Sequence, residues 1–185
     1  EIRLSLVGSE MCIRDSVDVA FDSVLPGNRG TVKKRDAQNT LGTDYFSDIS
    51  QVFGTVKNDF FRDIHTAIDI NTFGGNDAFY VQRGADLSIS GMGVSGSSID
   101  LWWTLNEFNS LNFYLDRFDN LHINSLDEYN NFHIQVNGYN KYKQNSDLTI
   151  KLNNGGKIVE SDIDKLVSAM AVMNEKGAPS IQSVR

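Results

Sequence analysis

NNGGKIVESDIDKLVSAMAVM, residues Asn153 to Met173, is the stretch whose reading decides the fold. Asn153-Asn154-Gly155-Gly156 is a turn, because Asn and Gly tolerate the positive φ that tight turns demand. Ser161 then suits an N-cap, and Asp162 and Asp164 place negative charge where the dipole of a new helix favours it. Ile163, Leu166, Val167, Met170 and Met173 recur at helical spacing, Ala169 and Ala171 raise propensity, and Gly177 with Pro179 ends the run. The spacing predicts a helix over 161–174. A helix this short is marginal alone, so its apolar stripe must dock. The natural partner is the open end or exposed face of whatever precedes it, where it would cover strand-edge N–H and C=O groups.

What precedes it has a period of two. Ile68 and Ile70, Phe79 and Val81, Leu87 and Ile89, and Ile99 and Leu101 each alternate with small or polar residues. Phe113 and Leu115, Leu121 and Ile123, Phe132, Ile134 and Val136, and Leu148, Ile150 and Leu152 continue the series. Gly74-Gly75, Gly91, Asp119-Asn120, Asn130-Asn131 and Asn137-Gly138 punctuate it as turns. The expected fold is therefore mainly β: an antiparallel meander, or a β-roll or solenoid-like sheet, with the C-terminal helix docked on it. This β-rich unit is assigned to 65–174, followed by a tail over 175–185.

The N-terminal part reads differently. Val17, Val19 and Phe21 alternate as a strand, and Leu25 to Asp44 reads as a loop or linker containing the charge run Lys33-Lys34-Arg35. Tyr45, Ile49, Val52, Phe53, Val56, Phe60 and Ile64 recur at intervals of three and four, which predicts one or two short helices, with Phe61 out of phase. The region 17–64 is thus a strand, a linker and short helices. Glu1 to Ser16, EIRLSLVGSEMCIRDS, resembles translated sequencing-adapter DNA at the ends of metagenomic reading frames, and is expected to be non-native. It holds Cys12, the single cysteine, so no internal disulfide framework exists.

The net charge of −7 disfavours nucleic acid and anionic membranes as partners. No apolar run approaches the roughly 20 residues that a membrane-spanning helix needs.

The order of the C-terminal features carries a resemblance. NSLNFYLDRFDNLHI, NNFHIQVNGYNKY and SDLTIKLNNGGKIVESDIDKLVSAMA look like the domain found C-terminal to haemolysin-type (RTX) calcium-binding repeats. Asn120-Leu121-His122-Ile123, Gly138-Tyr139 with Tyr142, Asn154-Gly155-Gly156, and Asp164 to Ala171 stand at that domain's successive motifs. The likeness runs from about Asn109 to Met173; the turn has Asn where Asp is usual, and the aromatic patch lacks its Trp. The resemblance implies a non-catalytic folding and secretion module, the C-terminal part of a secreted RTX-like protein. It also implies Ca²⁺ as cofactor, export by type I secretion machinery and an extracellular location.

The nonapeptide repeats that bind Ca²⁺ have a faint echo here. Gly75, Gly84 and Gly93 are nine residues apart, and Gly75-Asn76-Asp77 and Gly84-Ala85-Asp86 repeat a Gly-x-Asp pair. Asp77 and Asp86 are the candidate Ca²⁺ ligands, although two carboxylates fall short of the six to eight oxygens the ion takes. The same residues also read as ordinary turn residues. No catalytic residue is assigned. Arg62-Asp63-Ile64-His65 has no nucleophile beside it. Asp116 and Asp119 flank a turn without the context of a glycosidase pair. His122 and His133 face each other if Ile123 pairs with Phe132, as a polar face or a two-ligand metal site lacking a third ligand. Trp102-Trp103, with Tyr114 and Phe118, supports the alternative of an adhesin-like or carbohydrate-binding β domain.

Overall fold

The computed structural model describes residues 16–22, 28–35, 40–91, 96–101, 111–125, 131–142, 147–152 and 155–175. Among the described residues the molecule is mainly β, with one long helix at its C-terminal side. The strands are β1 (Ser16–Phe21), β2 (Gly30–Arg35), β3 (Thr40–Phe46), β4 (Gln51–Phe53), β5 (Phe60–Ile64), β6 (Ala67–Asn71) and β7 (Ala78–Val81). They continue as β8 (Asp86–Ser90), β9 (Ser98–Leu101), β10 (Leu111–Leu115), β11 (Leu121–Ser125), β12 (His133–Val136), β13 (Thr149–Leu152) and β14 (Lys157–Val159). A single-turn helix α1 (Tyr139–Tyr142) precedes β13, and α2 (Glu160–Glu175) follows β14.

Two sheets face each other. One has the order β14-β13-β9-β7-β5-β1-β2-β3, the other β10-β11-β12-β8-β6-β4. From β4 to β9 the chain passes from one sheet to the other at every strand, and each strand pairs in parallel with the next but one. Antiparallel pairs are confined to the two ends, at β1–β2–β3, β10–β11–β12 and β13–β14.

This winding stacks like residues along the inside. Phe61 lies opposite Phe79, Phe79 opposite Ile99 and Ile99 opposite Ile150. In the other sheet Ile68 faces Leu87, Leu87 faces Ile134 and Ile134 faces Ile123. The Phe61 and Phe79 rings stack at 5.1 Å, and all eight of these side chains are buried. One apolar core runs from Val17 to Ile163 and so spans both 17–64 and 65–174.

Two expectations need correction. The helices expected between Tyr45 and Ile64 are the end of β3, then β4 and β5. The misleading interval is explained at Phe61 and Ile64: Asp63 adopts φ +58, the register shifts, and both apolar residues still point inward. A bulge thus turns a strand spacing of two into three. Phe61, the residue out of phase with a helix, is fully buried, whereas Tyr45 is 84% exposed. The linker expected over Leu25 to Asp44 contains β2 and most of β3, an antiparallel pair carrying Lys33, Lys34 and Arg35. Arg35 meets Asp18 at 2.7 Å, so the charge run is partly neutralised within the sheet.

The C-terminal helix docks as its pattern requires. Ile163 is buried, Leu166, Val167 and Met170 pack against the core, and Lys165, Ser168 and Val172 are exposed. α2 contacts β10 and β14, the terminal strands of the two sheets, and so closes one end of the structure. The N–H of Phe113, on edge strand β10, donates to Met170 Sδ at 3.0 Å. Here a thioether satisfies an edge donor that would otherwise invite another strand.

Candidate functional site

The two aspartates singled out in the sequence fall on different turns with different partners. Asp77 precedes β7 in the eight-stranded sheet, and Asp86 opens β8 in the other. Gly75 and Gly84 both adopt positive φ, at +97° and +82°, so each turn uses its glycine conformationally. Gly93 lies outside the described residues.

Asp77 belongs to a ladder between successive turns. Its Oδ1 accepts from the N–H of Asp59 at 2.9 Å, Asp59 Oδ1 accepts from the N–H of Val17 at 2.8 Å, and Ser97 Oγ accepts from the N–H of Asp77 at 3.1 Å. Asp59 also receives the N–H and hydroxyl of Thr55. Both carboxyls are buried. Burial raises the pKa of Asp59, against the hydrogen bonds from Thr55 and Val17. Burial, aided by the charge of Asp59 and opposed by the Asp59 N–H, pushes Asp77 up to about 7. These are structural caps that join one turn to the next, and Asp59 went unnoticed in the sequence because the turn before it, Lys57-Asn58, lacks glycine.

Asp86 takes part in a second cluster on the outer face of the six-stranded sheet. Its Oδ1 lies 2.9 Å from His133 Nδ1, His133 Nε2 lies 2.9 Å from His122 Nδ1, and His122 Nε2 lies 3.2 Å from Asp116 Oδ2. The register differs from that expected: Ile123 faces Ile134, and His133 faces Asn124, so the two histidines meet diagonally across β11 and β12. Tyr114 stacks on His122 at 4.6 Å, and His122 is buried while His133 is about a third exposed. Burial works to raise the pKa of Asp116, but it is outweighed by donors from Asn120, His122 and the N–H of Phe118, which hold it well below the carboxylate range. The same bonds make Asp116 the organiser of the 116–120 turn, in which Asp119 adopts φ +64.

In the remaining cluster, His65 Nδ1 lies 2.7 Å from the backbone carbonyl of Asp63, while the Asp63 carboxylate accepts from Gln82 Nε2. The imidazole is thus not paired with the carboxylate. Trp102 and Trp103 lie outside the described residues.

The outer face of the eight-stranded sheet carries a groove that sequence reasoning missed. It has a volume of about 740 Å³ and is lined by Arg62, Asp63, Tyr80, Gln82, Arg83 and Asp100. Arg62 lies over the rings of Phe60 and Tyr80, each at 5.4 Å, and its Nε donates to Asp18 at 2.8 Å. Lys151 extends the row, 3.5 Å from Asp100. These residues come from β5, from β7 and the two positions after it, from β9 and from β13, separated by up to some ninety positions, so no local motif announces them.

Among the described residues no three His, Cys, Asp or Glu side chains are grouped to hold a metal ion, and no helix is long and apolar enough to cross a membrane. Compared with protein-family models, curated proteins and solved structures, the chain matches none.

Proposed function

We propose that this chain is a non-catalytic structural module, the C-terminal part of a secreted RTX-like calcium-binding protein that leaves the cell by type I secretion. The observation that carries the reading is α2 lying against the end strands β10 and β14 of both sheets. A helix so placed covers the antiparallel strands that end both sheets and protects their edges, which suits the closing unit of a longer secreted chain. The residue order from about Asn109 to Met173 supports the same reading. With Asp77 in a buried ladder and Asp86 on His133, calcium binding by this chain is weak. Unfolding in urea with and without Ca²⁺ tests it, with Mg²⁺ as control. A gain of about 0.4 kcal/mol is expected when Ca²⁺ reaches its Kd, in the millimolar range. No gain at any millimolar concentration would remove calcium from the proposal. Failure of the chain to carry a fused passenger through a type I exporter would remove secretion.

A second reading, an adhesin-like or carbohydrate-binding domain, draws on the Tyr80 groove. An aromatic ring flanked by Arg62, Gln82 and Asp100 offers both an apolar face and planar polar partners for a sugar. Glycan-array binding lost in Tyr80→Ala would favour it over the structural module.

A further inference from the structure

The contact between His122 and His133 has a consequence in protons. Asp116, His122, His133 and Asp86 form an unbroken line of three close contacts, at 3.2, 2.9 and 2.9 Å. Each is of hydrogen-bond length, and each such bond needs one proton. Two ionised carboxylates and two neutral imidazoles bring only two. If His122 donates through Nε2 to Asp116 and His133 donates through Nδ1 to Asp86, then His122 Nδ1 and His133 Nε2 face each other as two lone pairs at 2.9 Å. That approach is repulsive. Any other choice of tautomers leaves at least one of the outer contacts empty instead.

We propose that the line binds a third proton, shared between His122 Nδ1 and His133 Nε2, and that this proton fastens β11 to β12 while both imidazoles keep donating to their carboxylates. The neighbouring groups agree with an added positive charge. Asp116 reaches the pair from the turn after β10, and Asp86 from β8, both carboxylates. Tyr114 from β10 stacks on His122, and its phenol is held protonated by burial and by the charge of Asp116. Within the sheet, the pair's register partners are the neutral Asn124 and Gln135, with Ser88 beside Gln135. No described Lys or Arg is paired with either carboxylate.

The sign follows from the count. Below the imidazole range the third proton is present and all three bonds are made. As pH rises through that range the proton leaves, the nitrogens repel, and one ring must turn away. The side-chain link between β11 and β12 therefore weakens toward alkaline pH.

Two measurements on the intact chain test this. The folding equilibrium of the wild type and of His133→Gln is followed in urea from about pH 5.5 to 8.5, with His65→Gln as control. The folding equilibrium of the wild type should fall severalfold relative to His133→Gln across the window, because the shared proton is held only by the folded chain. His65→Gln should track the wild type. A difference between wild type and His133→Gln that does not change with pH overturns the proposal, as does its disappearance on adding a chelator, which would make the shared ligand a metal ion. Imidazole ¹⁵N spectra of the unmutated protein supply the second reading, independent of any variant's folding. Near pH 6, three of the four ring nitrogens of His122 and His133 should carry protons; only two would overturn the shared-proton assignment.

Discussion

The backbone N–H of Asp59 donates to the carboxylate of Asp77, 2.9 Å away and eighteen residues later in the chain. One residue thus caps the turn below it while its own N–H is capped by Ser97 from the turn above. A side chain here substitutes for the ladder hydrogen bond that strands lose where they enter a turn.

This cap makes stability depend on pH. Asp77 is raised from 3.8 to about 7, chiefly by burial. Its contribution is therefore complete below pH 3.8 and is lost as pH rises through about 7. Asp77→Asn keeps the acceptor for Asp59 but cannot ionise. Relative to the variant, the wild type should lose on the order of a few kcal/mol between about pH 4 and pH 8, at roughly 1.4 kcal/mol for each tenfold difference in proton affinity between the folded and unfolded chain. Parallel urea titrations check it; equal slopes would mean that Asp77 is ionised at no cost.

The same turn requires its glycine. At Gly75, φ is +97 and a Cβ would lie 2.2 Å from the carbonyl oxygen of Lys57, a backbone atom that cannot move aside. At Gly155, φ is +84 but the space is open. Gly155→Ala should cost about 1 kcal/mol for backbone conformation alone, and Gly75→Ala more than about 3 kcal/mol. Similar losses would show that the Lys57 contact relaxes freely.

On α2, Ile163 is fully buried and Lys165 is exposed with an ion pair to Asp162. Ile163→Ala should cost about 2–5 kcal/mol through the cavity it leaves. Lys165→Ala should change stability by less than about 0.5 kcal/mol. Leu166, only partly buried, should fall between them. If all three variants unfold alike, the helix is not closing the sheets.

Met170→Leu separates the helix's packing from its hydrogen bond. Leucine preserves the volume, at a cost below about 1.5 kcal/mol, but it offers no acceptor to the Phe113 N–H. Faster hydrogen exchange at Phe113, with little change elsewhere on β10, is the expected outcome. Unchanged exchange would mean that the sulfur contact does not protect the edge.

From Ile68 onward the sequence by itself determined which residues face inward. Alternation at Ile68 and Ile70, Phe79 and Val81, and Leu87 and Ile89, and the helical stripe from Ile163 to Met170, reflect local geometry, in which side chains repeat every two residues in a strand and every 3.6 in a helix. Tertiary structure decided what those faces meet. Alternation is the same in parallel and antiparallel strands, so only the pairing of β5 with β7 and of β6 with β8 reveals the winding between two sheets. The bulge at Asp63 hid β5 behind a helical interval, because a residue at φ +58 resets the phase without changing which side chains are apolar. The candidate sites were equally non-local. Asp86 meets His133 across 47 positions, and Arg62 meets Asp18 across 44. Such contacts depend on which strands become neighbours, a choice made by burial of the whole core and not by any short run of residues.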